Sequence, residues 1–172
     1  MAIVYRAGLS DSEIASLQSK LRPQLPDEYK RFLKKMNGFY FSDPDFPQLP
    51  VSEIDEDGIS FDRMFGISPA QECNDLASFN REFAGELSFL TDVLIIGDDG
   101  GGNPYVLIGS PGKKGVYYWD RTHLHDRGIR NISDIAEQGG CGNLYWVAES
   151  VEDLYSSLIL AVGGEVTFIE EP

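Results

Sequence analysis

The sequence has little with which to do covalent or metal chemistry. It holds two cysteines, Cys73 and Cys141, and two histidines, His123 and His125. Neither cysteine has a Cys-x-x-Cys partner, which removes a zinc site of ordinary spacing. With no secretory signal in view, both read as free thiols. The N-terminal MAIVYRAGLSDSE lacks the apolar stretch and small-residue cleavage site of a signal peptide, so the expected location is cytoplasmic. No apolar run approaches the roughly 20 residues that cross a bilayer. Gly-x-Ser-x-Gly and His-Glu-x-x-His are absent.

Positive charge is the other shortage. Fourteen Lys and Arg stand against 28 Asp and Glu, for a net charge of −14. The deficit is local. Residues 36–112 hold only Arg63 and Arg81 against 14 carboxylates, whereas residues 1–35 hold seven basic and four acidic residues. Such a field repels nucleic acid and anionic membrane, and it attracts and steers basic partners. Plain solubility is the other use of the same charge.

What is present is enough for one buried core: 172 residues, 42% of them apolar and 12% aromatic. Ser10-Asp11-Ser12-Glu13 has capping-box form, and Ile14, Leu17 and Leu21 follow at helical spacing. A second helix is predicted from Pro26, with Tyr29, Phe32, Leu33 and Met36 as its apolar face and Asn37-Gly38 as a left-handed stop. Residues 39–62 read as a long irregular segment with one short strand. Ser68-Pro69-Ala70-Gln71 looks like a further helix start, with Cys73, Leu76, Phe79 and Phe83 on its buried side. Short strands are predicted at Val93–Ile96, Tyr105–Ile108 and Val116–Trp119, an antiparallel meander. Further strands are expected at 129–132, 143–147 and 166–169. A last helix starts near Ser150, with Val151, Leu154, Leu158 and Ala161 inward. Helices first, strands in the middle and a helix last argue for an α+β domain.

The loop Gly97-Asp98-Asp99-Gly100-Gly101-Gly102-Asn103 invites a chemical reading. A phosphate cradle needs a helix behind it and usually a Lys; here two carboxylates precede a strand. The spacing of Asp98, Asp99 and Asn103 misses a calcium loop. A wide hairpin turn with glycines at positive φ is the favoured reading. His123 and His125, with Asp120 and Asp126 nearby, could form a metal or acid–base cluster, against an exposed polar loop as the simpler reading; an enzyme or metal binder built on Asp98, Asp99, Asp120, His123 and His125 is a separate alternative. Cys141, in a glycine-rich loop, has no basic neighbourhood to make it a nucleophile.

The acidic segment 43–62 is the better functional candidate. Asp43, Asp45, Glu53, Asp55, Glu56, Asp57 and Asp62 are interleaved with Phe41, Phe46 and Phe61. Aromatic anchors amid steering charges suit a protein interface, and Asp43, Asp45, Phe46, Asp55, Glu56 and Asp57 are the predicted partner-binding residues. The alternative is a solvated loop with its rings in the core.

Four stretches in order resemble the SUKH superfamily, named for member groups that include the yeast cell-wall-synthesis regulator family and bacterial immunity proteins. LPDEYKRFLKKMNGFYF (25–41) carries Leu25, Pro26, Tyr29, Phe32, Leu33, Asn37 and Gly38 in the family pattern. IIGDDGGGNPYVLIG (95–109) supplies Gly97, Gly100, Gly102 and Asn103. GVYYWDRTH (115–123) supplies Trp119 and Asp120, and VAESVEDLYSSLI (147–159) resembles the closing helix. The resemblance implies one SUKH-like domain over residues 1–172: a mostly antiparallel central sheet with N-terminal helices and a C-terminal helix packed on it. It implies a protein-binding module without cofactor, metal or catalytic residues, and among bacterial members an immunity protein that neutralises a toxin by contact. A basic toxin domain, such as a nuclease, is the partner expected here. An intracellular regulatory scaffold is the alternative, and a metal binder or hydrolase using Asp98, Asp120 and His123 is the third. The segment 42–68 is longer than the family's usual connection.

Overall fold

A computed structural model describes residues 1–42, 46–54, 58–68, 70–125 and 140–171. It is an α+β fold built on an eight-stranded sheet. Strand β1 (Ala2–Ala7) leads into helix α1 (Asp11–Lys20), and α2 (Asp27–Lys35) runs directly into β2 (Met36–Phe41). A two-residue hairpin, β3 (Gln48–Leu49) with β4 (Ile59–Ser60), precedes β5 (Arg63–Met64). Helix α3 (Leu76–Phe83) comes next, then β6 (Val93–Asp98), β7 (Pro104–Ile108), β8 (Gly115–Asp120) and β9 (Asn143–Ala148). Helix α4 (Val151–Ala161) and β10 (Thr167–Glu171) complete the chain. The order across the sheet is β10-β1-β2-β5-β6-β7-β8-β9. Every pair is antiparallel except β1 with β10, which is parallel.

The caps act as the sequence reads. Ser10 accepts from the Glu13 N–H while Glu13 accepts from the Ser10 N–H, which satisfies two of the free donors at the start of α1. Ser150 accepts from the Asp153 N–H at α4. The predicted meander is present, and Asn143–Ala148 is its fourth strand.

Several readings need correction. The Asn37-Gly38 pair does not stop α2: the helix ends at Lys35 and Met36 is already extended, at φ −144. Gly38 lies inside β2 at φ +76, where a Cβ would sit 2.7 Å from the Met64 carbonyl oxygen, so close strand approach requires glycine there. The irregular segment begins after Phe41, since residues 39–41 pair with β1. The third helix starts at Leu76, because the Asp75 carboxylate accepts from the Ser78 N–H and caps it there. Cys73 is exposed in a short 3-10 turn before it, and Ala161 is exposed at the end of α4. The N-terminal strand β1 is absent from the sequence reading; its short Ile3-Val4-Tyr5 run offered no alternation. The expected strand at 129–132 lies outside the described residues.

Helices α2 and α4 cover one face of the sheet. Phe32 of α2 and Tyr155 of α4 both contact the Phe39 ring, at 6.0 and 5.7 Å. Phe41, Phe61 and Tyr105 continue that aromatic cluster, and burying each ring contributes about 1.5–3 kcal/mol. Tyr29, wholly buried, donates its hydroxyl to the Phe65 carbonyl and lies 3.2 Å from that of Ile96, which ties α2 to the sheet. Helix α3 lies on the other face against β6. There the buried Asn80 amide bonds both the N–H and the C=O of Ile95 at 2.9 and 2.8 Å, doing for β6 what a neighbouring strand would do beyond the end of β5.

Candidate functional site

The pleat turns Phe39 and Phe41 toward the helices and Tyr40 away from them. Register then places Ile169, Val4, Tyr40, Arg63 and Asp98 in one row across β10, β1, β2, β5 and β6. A groove of about 240 Å³ runs beside this row, between β1, β2 and β5 and the turn carrying Gln71 and Asn74. Two charge networks cross it. Arg6 meets Glu171 at 3.3 Å, and the Tyr40 hydroxyl donates to the same carboxylate at 2.9 Å. Arg63 donates to Asp62 at 2.6 Å and approaches Asp98 Oδ1 at 3.6 Å.

The second network is short of positive charge. One guanidinium faces Asp62 and Asp98, with Asp99 next in the chain. Asp98 Oδ1 is buried and has no hydrogen-bond donor among the described residues. Burial above all pushes the Asp98 carboxyl up to about 7; the Asp62 and Asp99 charges add to this and Arg63 opposes it. The Tyr40 phenol is also raised, by burial and by its bond to Glu171. A second depression of about 360 Å³ adjoins this cluster, lined by Tyr40, Phe41, Phe46, Asp62, Arg63, Asp99 and Gly100.

Of the predicted partner-binding residues, Phe46 stands at the rim of that depression, 38% exposed. Asp43, Asp45, Asp55, Glu56 and Asp57 lie outside the described residues. The other two rings of the segment, Phe41 and Phe61, are core. The row of Tyr40, Arg63 and Asp98 escaped the sequence reading because it is a register relation between distant strands; only the alternation Phe39-Tyr40-Phe41 hints at it.

The chemistry-bearing residues are occupied by architecture. Asp99 accepts from the Gly101 N–H, the Asn103 N–H and side-chain amide, and the Tyr118 hydroxyl, closing the glycine turn in which Gly100 and Gly102 take positive φ. Asn103 accepts from the Thr122 N–H and hydroxyl. Both Asp120 oxygens accept backbone N–H groups, of Leu124 at 2.7 Å and His125 at 2.8 Å, so Asp120 holds the turn that carries both histidines. Asp98 faces Arg63 instead, and no group of three or more metal-capable side chains forms among the described residues. Burial raises the Cys141 thiol, the opposite of what activates a nucleophile. The remaining signature positions build the frame. Leu25 and Leu33 are buried, and Pro26 precedes α2 as its cap. The Asn37 amide bonds both backbone groups of Ile67. A Cβ on Gly97 would meet the Arg63 carbonyl oxygen at 2.3 Å, and the buried Trp119 donates to the Cys141 carbonyl at 2.7 Å. No described helix is long and apolar enough to cross a membrane.

The model of the SMI1 / KNR4 family (SUKH-1) matches residues 8–157. No curated protein matches the chain.

Proposed function

The chain belongs to the SMI1 / KNR4 family (SUKH-1), and from that premise we propose that it is a non-enzymatic protein-binding module, an immunity protein that covers a basic bacterial toxin domain. The observation that carries this reading is the pairing of both Asp62 and Asp98 with the guanidinium of Arg63, at the rim where Phe46 is exposed. A Lys or Arg of a partner entering there relieves the charge imbalance and lets Asp98 ionise fully. Phe46 supplies an apolar anchor beside it. The segment between β2 and β5 leaves from Phe41 and returns at Asp62, both at this rim, and its sequence is acidic, which suits a basic partner. Blocking a toxin's active site by contact needs no reacting group.

The test is capture of the product of a neighbouring toxin gene at salt rising from about 50 to about 500 mM. Capture weakens with salt, and it weakens about tenfold or more when Asp43, Asp45, Asp55, Glu56 and Asp57 are neutralised together. Capture indifferent to both changes contradicts the electrostatic mechanism.

A further inference from the structure

The sheet ends on β10, which pairs with β1 and with no other described strand. The Thr167 N–H donates to the Met1 carbonyl at 3.1 Å. Strand alternation then turns the backbone groups of Thr167, Ile169 and Glu171 toward β1, and those of Phe168 and Glu170 outward. Natural edges are usually blunted by Lys, Pro, a bulge or a covering element. Thr167–Glu171 contains neither Lys nor Pro, and its register with β1 runs unbroken. The edge is apolar on both faces: Phe168 and Ile169 point to opposite sides and each is 47% exposed. It is also acidic. Glu165 precedes the strand, and Glu170 and Glu171 lie in it, Glu171 paired with Arg6 and Glu170 bonded to the Tyr5 hydroxyl. Both β1 and β10 lie outside the stretch that the family model matches.

We propose that the outer edge of β10 is a strand-addition site for a basic extended segment of a protein partner. The inference rests on the reading of a basic partner and states how it is held. Main-chain bonds to the outward groups of Phe168 and Glu170 supply affinity, and alternate side chains supply selection. Phe168 and Glu170 share one face, so the fitting strand carries an apolar residue beside Phe168 and a Lys or Arg two positions along, beside Glu170. The Glu170 carboxylate accepts from the Tyr5 hydroxyl at 3.0 Å and stands at the exposed edge. An acidic strand meets repulsion along the whole edge.

The probe is a short synthetic peptide that alternates Thr with Val and Lys, added to the full chain at low salt. The expected result is slowed hydrogen exchange at the Phe168 and Glu170 amides, by about tenfold. Glu170→Pro removes an outward donor and leaves the ladder to β1 intact. It weakens the peptide about tenfold while the melting temperature stays within about 2 °C of the parent. On the unaltered chain, N-methylation of one alternate set of peptide amides abolishes binding and methylation of the other set does not. Protection elsewhere, or indifference to both Glu170→Pro and N-methylation, overturns the edge and leaves the basic-partner reading standing. No binding at low salt also overturns the edge, and the salt-dependent capture of the toxin then decides the partner reading by itself.

Discussion

The two halves of the sheet are built for different ends. Strands β6, β7 and β8 are buried along almost their whole length on both faces. Strands β1, β2 and β5 are covered on one face and leave Arg6, Tyr40 and Arg63 along the other, while β10 is exposed on both faces and adds Glu171 to that row. Polar groups are present in both halves but are used differently. In the closed half, Asn80, Asn103 and Asp120 are buried and bonded, Asn80 and Asp120 to backbone groups and Asn103 to the Thr122 N–H and hydroxyl and the Asp99 carboxylate, so they fix geometry. In the open half, carboxylates and guanidiniums meet in pairs at a solvated surface, where a partner's charges can substitute for them. A polar residue buried and fully bonded is architecture; a polar residue half-buried with an unmet charge is available for recognition.

The sharpest way to break this contrast is to truncate the closed half. Trp119→Ala removes a fully buried ring and leaves the Cys141 carbonyl without its donor. It costs about 3–5 kcal/mol in urea unfolding; a loss below about 1 kcal/mol contradicts the description of that half as a close-packed scaffold. Asn80→Ala is next, at about 2–3 kcal/mol, because the N–H and C=O of Ile95 both lose their partner in a buried site.

Asp98 sits at the seam between the halves, and its effect depends on pH. Its carboxyl is pushed up to about 7 in the fold, above the value of about 3.9 expected for the unfolded chain. Between those values the folded state binds more protons, so stability falls as pH rises from about 4 to about 7. Asp98→Asn flattens that slope. It gains roughly 1–3 kcal/mol over the parent at about pH 8 and nothing at about pH 3.5. Thermal unfolding across that range checks it, and parallel curves contradict the burial of an ionisable Asp98. The smallest effect belongs to the open face. Tyr40→Phe removes one bond to Glu171 and changes stability by less than about 1 kcal/mol, while it weakens partner capture by a larger factor than its stability loss accounts for.

How far the sequence could be read follows the same division. The capping box of α1, the meander and the last helix were legible because they rest on local rules: a Ser hydroxyl three residues from an N–H, alternation between turn residues. The family pattern was legible as well, and Tyr29, Asn37 and Asn103 prove to bond across the fold. Register was not legible. Nothing in residues 36–41 says that Tyr40 meets Val4 on one side and Arg63 on the other. Asn37-Gly38 looked like a helix stop because Asn-Gly favours positive φ locally, whereas tertiary contact used the same φ inside a strand. Nothing local in the sequence marks Asn80; its role as a stand-in strand depends on β5 ending early.

The most direct test of the proposed binding surface is a hydrogen-exchange footprint of the full chain bound to the toxin domain proposed as its partner. The account predicts slowed exchange in β10, in β1 and β2, and around Phe46 and Arg63, with the surface of α1, α2 and α4 unchanged. Protection confined to those helices, with the open face exchanging as in the free chain, contradicts it.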